Sequence, residues 1–175
     1  ADREVHRLYR PGAAGAAAVG RLFGASVLAA DGGVDRDLLA RRVLGDGEAL
    51  ALLNAAVHPL VRAAVTEWAD GLGRGAEVPA VAVVEAALLI ETGGRDAYDL
   101  LVVVWCTAAQ QLERALGRGM AEARVRALLA AQLPIDAKRA AAEVVIDNSG
   151  PPAALAAEVE RAWREVLERC AARRE

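Results

Sequence analysis

The chain has 175 residues, 55% hydrophobic, 26% charged and only 3% aromatic; that is material for a sizeable core of Ala, Leu and Val, not for a disulfide-stapled miniprotein. Its net charge of −3 supplies no basic face of the kind that phosphate-backbone binding needs, so nucleic acid is not an expected partner. Cys106 and Cys170 lie far apart without CxxC spacing or a nearby His cluster, which predicts neither a disulfide framework nor a zinc site and fits a reducing, cytoplasmic setting.

In chain order, Val5, Leu8 and Tyr9 have helical spacing, and Pro11-Gly12 ends that segment. Ala13 to Phe23 reads as a second, alanine-rich helix closed by Gly24, and Asp31-Gly32-Gly33 as a turn. Asp35 is placed to cap a third helix, which Gly45-Asp46-Gly47 breaks. From Glu48 to Leu72 the spacing of Leu50, Leu53, Val57, Leu60, Val61 and Val65 predicts a long helix that Pro59 should bend or interrupt. No uninterrupted apolar run reaches the roughly 18 to 20 residues of a membrane span, so no membrane partner is expected.

After a Gly-rich link from Gly71 to Pro79 the pattern changes. Val81-Val84, Leu100-Val104 and Val144-Ile146 are short continuous apolar runs, and helical patterns over 108–116, 122–132 and 136–142 separate the last two. Such runs predict strands buried on both faces of a parallel sheet flanked by helices, an α/β fold. A terminal helix over 151–173 presents Leu155, Val159, Trp163, Val166 and Leu167 on one face. Trp68, Trp105 and Trp163 sit among apolar neighbours and read as core.

Ligands of open parallel sheets collect beyond the carboxyl ends of the strands. Those positions hold Leu88-Leu89-Ile90-Glu91-Thr92-Gly93, then Cys106-Thr107 with a following helix, then Asp147-Asn148-Ser149-Gly150. Arg114 and Arg118 share a helix face and could clamp a polyphosphate, or form a solvated face on which Glu113 pairs across a turn.

Asp2, Val5-His6-Arg7-Leu8-Tyr9-Arg10-Pro11-Gly12, Asp31-Gly32-Gly33-Val34-Asp35-Arg36-Asp37-Leu38-Leu39 and Leu53-Asn54-Ala55-Ala56-Val57-His58-Pro59-Leu60-Val61 together resemble the dephospho-coenzyme A kinase family. Leu88-Leu89-Ile90-Glu91-Thr92-Gly93 is similar to its strand-end motif, Gln111-Leu112-Glu113-Arg114 with Arg118-Gly119-Met120 to its lid, and Val145-Ile146-Asp147-Asn148-Ser149-Gly150 to its penultimate loop. The resemblance covers nearly the whole chain. It implies a P-loop kinase-like parallel sheet with a helical acceptor-binding region over 36–72 and a lid over 110–132. The implied activity is transfer of the ATP γ-phosphoryl group to the ribose 3′-hydroxyl of dephospho-CoA, the last step of coenzyme A synthesis.

By the same resemblance, Asp2 is the general base. Arg114 and Arg118 face the ATP phosphates, and Asn148 and Gly150 line the adenine side. Arg36, His58, Leu89 and Glu91 fall on the acceptor side with Asp2. His58-Pro59 also reads as a packed structural pair, Leu88 and Leu89 as core, Glu91 as a turn cap, and His6 as a residue of a solvated helix face. ATP and Mg2+ are the implied co-substrate and cofactor, yet no GxxxxGK[ST] phosphate loop is present, the only lysine being Lys138. With Ala1 in place of an initiator methionine, the chain is expected to be a fragment lacking a central first strand and inactive alone. The competing readings are a noncatalytic dephospho-CoA-binding module and another small P-loop kinase. The sequence leaves the oligomeric state open.

Overall fold

The computed structural model describes residues 1–74 and 81–173, so the Gly75 to Pro79 part of the expected link lies outside the described residues. The chain divides into two compact units, Ala1–Ala86 and Ala87–Glu175.

The first unit is helical. Helices α1 (Asp2–Leu8), α2 (Ala14–Phe23) and α3 (Arg36–Val43) all contact α4 (Gly47–Leu72). Local chemistry sets the boundaries. The Asp35 carboxylate accepts from the amides of Asp37 and Leu38, and Asp46 accepts from Ala49, so two acidic caps satisfy amides that lack helical partners. Gly12, Gly24, Gly32 and Gly45 take positive φ at the connections. The core consists of Val19, Val27, Leu39, Val43, Ala49, Leu53 and Val57, with Tyr9, Phe23, Val34 and Val61 packed against it.

Of the two outcomes expected at Pro59, interruption does not occur: α4 runs unbroken from Gly47 to Leu72. By length and composition α4 is apolar enough to cross a membrane, its best 18-residue window having a mean hydropathy of 1.4, which a search for uninterrupted apolar runs overlooks. Its Leu53 and Val57 are nonetheless core residues of this unit.

The second unit is α/β. Strand β1 (Val102–Trp105) leads into α5 (Ala108–Gly117), α6 (Glu122–Ala130) and α7 (Ile135–Ala141); β2 (Val144–Asp147) then leads into α8 (Pro152–Ala172). The two strands pair in parallel with Val102 opposite Val144 and Trp105 opposite Asp147. A three-residue crossover could not join parallel strands, and the helices between them supply the necessary length.

Four expectations need correction. Val81–Val84 forms no strand, because a strand requires a hydrogen-bonded neighbour and this run has none among the described residues. Nor is β1 buried on both faces: Val103 is buried, whereas Val102 and Val104 are exposed, as in a sheet covered on one side. The tryptophans are not core. Trp68 and Trp163 are exposed, and Trp105 is half-buried, with its indole N–H donating to Asp136 at 2.8 Å and the Arg139 guanidinium 4.2 Å above its ring. In α8 it is Ala162 and Val166 that are buried, while Val159, Trp163 and Leu167 of the predicted apolar face remain exposed.

Candidate active site

In the first unit, Asp2 opens α1 and is exposed, with no ion-pair or hydrogen-bond partner for its carboxylate among the described residues. His6 lies one helical turn further along the same face. It is solvated, as expected, but it also meets Arg36: Arg36 Nη1 is 3.0 Å from His6 Nε2, thirty residues away in sequence. The backbone brings the two together, since the Val34 amide donates to the Tyr9 carbonyl at the end of α1 and the Asp35 amide donates to Val27. Gly33 permits this close approach, because a β-carbon there would come within 3.1 Å of both Tyr9 O and Pro11 Cδ. Burial raises the pKa of the Tyr9 hydroxyl, and the nearby Arg36 charge opposes that rise. His58 is half-buried on α4; burial first, and Arg62 second, depress its pKa and favour the neutral imidazole.

In the second unit, the carboxyl ends of β1 and β2 lie side by side. Thr107 caps α5 through a capping box with Gln110. Gln110 also reaches the loop after β2, its side-chain amide donating to Ser149 O at 2.7 Å. That loop is fastened twice more: Asn148 N donates to Trp105 O at 2.7 Å, and Ser149 N to the Asp147 carboxylate at 2.8 Å. Asn148 and Gly150 therefore sit on a loop held against the start of α5. Gln110, which sequence reading passed over, is the tie; a Thr-x-x-Gln capping pattern was its only signal.

Arg114 and Arg118 occupy the last turn and the C-cap of α5, where positive charge complements the helix carbonyls. Arg118 Nε donates to Arg114 O at 3.2 Å. The expected pairing by Glu113 does not occur: Glu113 is exposed and forms no ion pair among the described residues, leaving both guanidinium groups without a carboxylate partner.

Leu88 to Gly94 forms a tight turn, with Thr92 N and Oγ1 both donating to Leu88 O and Gly94 N to Leu89 O. Leu89 is half-buried, and its Cδ1 would lie 3.0 Å from a β-carbon at Gly94. Glu91 Oε1 pairs with Lys138 Nζ at 2.7 Å and accepts from Leu133 N at 3.0 Å, while Oε2 is buried without a partner. Burial would raise the Glu91 pKa, but the bonds from Lys138 and from backbone amides, together with the lysine charge, bring it below the usual carboxylate range. Lys138, noted from sequence only as the wrong lysine for a phosphate loop, is the one buried charged residue among those described. No group of three or more His, Cys, Asp or Glu side chains among the described residues could hold a metal ion.

A family model for dephospho-CoA kinase matches residues 1–153. The chain belongs to the dephospho-CoA kinase family. Among curated relatives named dephospho-CoA kinase, one from Streptomyces avermitilis is 41% identical over 97% of this chain and 81% of its own length. One from Methylococcus capsulatus is 40% identical over 94% of this chain and 81% of its length. A third, from Mycolicibacterium paratuberculosis, is 41% identical over 94% of this chain, which spans only 40% of that longer protein. In structure, the chain is similar to a crystal structure of TT1252 from Thermus thermophilus, with a TM-score of 0.67 and 31% identity over 88% of this chain and 79% of the other. The dephospho-CoA kinase family consists of ATP-dependent transferases of the final step of coenzyme A synthesis.

Proposed function

We propose that these residues carry the acceptor side and the lid of an enzyme that moves the γ-phosphoryl group of ATP onto the ribose 3′-hydroxyl of dephospho-CoA. The family match over residues 1–153 carries this reading, and the unpaired charges on each unit give it chemistry. Phosphoryl transfer asks the protein mainly to position two substrates and to neutralise charge that spreads over the transferred group.

Asp2, exposed and unpartnered, accepts the proton of the attacking hydroxyl. By the family resemblance Arg36 meets a phosphate of the acceptor and His58, Leu89 and Glu91 serve the same substrate, Glu91 being held within its own unit by Lys138 and the Leu133 amide. Arg114 and Arg118, without a carboxylate partner among the described residues, offer planar donors to the ATP phosphates and stabilise the negative charge of the transition state. The Asn148–Gly150 loop lines the adenine. Residues 36–72 then form the acceptor-binding region and 110–132 the lid. The described carboxylates build no magnesium cage.

The test uses an enzyme that carries these residues together with a Gly-rich phosphate loop. Asp2→Asn is expected to lower kcat about 100-fold or more while leaving the KM for dephospho-CoA nearly unchanged. Full activity in that variant removes Asp2 as the base.

A further inference from the structure

The His6–Arg36 contact fixes more than a distance. A guanidinium has only donors and stays protonated at any working pH, so at 3.0 Å the imidazole nitrogen facing it must be the acceptor. An imidazole that accepts this bond at Nε2 is the neutral tautomer with its proton on Nδ1. The bond holds a long, exposed side chain in one orientation. Arg36 is already anchored through its backbone, because Asp35 caps α3 with two amide bonds and the 34–35 segment is bonded to Tyr9 and Val27. What the backbone leaves free is the guanidinium, and His6 is the group that holds it.

His6 and Asp2 stand four residues apart on α1 and so project from one face of that helix. Holding Arg36 against His6 places its cation beside the face that carries the unpartnered Asp2 carboxylate.

We propose that His6 is a positioning residue for acceptor recognition: its neutral imidazole fixes the Arg36 guanidinium beside the Asp2 face of α1, so that an anionic phosphate of dephospho-CoA binds at a set place relative to the hydroxyl that Asp2 deprotonates. This rests on the acceptor reading above and adds a residue to it. Without His6 the arginine keeps its charge but must be ordered by the ligand on every binding event, which weakens affinity.

Two measurements on the full 175-residue chain test the idea. Nitrogen-15 spectra of the His6 imidazole at about pH 8, where an ordinary imidazole is neutral, are expected to show the Nδ1-protonated tautomer in the wild type and its loss in Arg36→Gln. An Nε2-protonated ring in the wild type overturns the proposal. Calorimetric titration with dephospho-CoA is expected to show binding weakened about tenfold in Arg36→Gln. It should weaken about fivefold in His6→Phe and recover in His6→Gln, whose amide oxygen can accept the same bond. If Arg36→Gln weakens binding and His6→Phe does not, the positioning role falls and the acceptor reading stands. If Arg36→Gln binds like the wild type, or the wild-type chain takes up no dephospho-CoA, the acceptor reading falls and the proposal with it.

Discussion

Replacing Lys138 by Met probes the one buried charged side chain among the described residues. Lys138 Nζ donates to Ala87 O at 2.8 Å and to Gln132 Oε1 at 3.0 Å, and pairs with Glu91 Oε1 at 2.7 Å, which uses all three ammonium protons. Methionine keeps most of the apolar stem, so the cavity left behind is small and the loss is mainly electrostatic. The Lys138 and Glu91 side chains are only 11% and 16% exposed, and removing one partner of a buried pair strands the other charge at a cost of about 3 to 5 kcal/mol. Glu91 retains the Leu133 amide, which puts the expected loss near the lower limit, about 3 kcal/mol.

Urea unfolding at constant slope measures that loss directly. The double variant Glu91→Leu, Lys138→Met removes both charges and should return to within about 1 kcal/mol of the wild type. The pH dependence supplies a sign test. Glu91 has a depressed carboxyl in the folded wild type, so its contribution is complete above the ordinary unfolded value of about 4.3 and is lost as pH falls through the lower folded value. In Lys138→Met, burial without the ammonium raises the same carboxyl, so that contribution changes sign and acid becomes stabilising over the carboxylate range. A loss below about 1 kcal/mol, or an unchanged pH slope, would refute the argument that this pair is a buried tie.

The Glu143 carboxylate accepts from Leu101 N at 2.8 Å and pairs with Arg95; burial opposes, but these bonds outweigh it and lower its pKa. Glu143→Gln should cost about 1 to 2 kcal/mol at neutral pH, and urea titrations should show the difference shrinking as pH falls through the depressed folded value of the wild type. A β-carbon at Gly15 would lie 2.6 Å from Leu8 O and 2.9 Å from Leu8 Cβ, so Gly15→Ala should destabilise the first unit by about 1 to 3 kcal/mol, seen as an earlier thermal transition. Ala121 is the N-cap of α6 and makes no side-chain cap bond; Ala121→Ser should add about 0.5 to 1 kcal/mol and raise Tm by about 2 °C.

Much of the local order was legible because its causes are local. Asp35 caps the helix it precedes, and Val102–Trp105 and Val144–Asp147 form the expected parallel pair. The resemblance to the kinase family needed only the order of short motifs, and the family match agrees with it. Contacts over long separations were not legible. His6 and Arg36 are thirty residues apart and Glu91 and Lys138 forty-seven apart, and no periodicity relates either pair.

The sequence alone determined where helices begin and end and which family the chain belongs to, since capping, turn formation and motif order are properties of neighbouring residues. Tertiary structure decided which apolar residues are buried and which charges meet. Among the described residues it left Val81–Val84 without a strand partner, Trp68 and Trp163 in solvent, and the only lysine buried against Glu91. Burial and pairing depend on what the rest of the chain places nearby, so an apolar run becomes a strand, or an aromatic becomes core, only when another element comes to cover it.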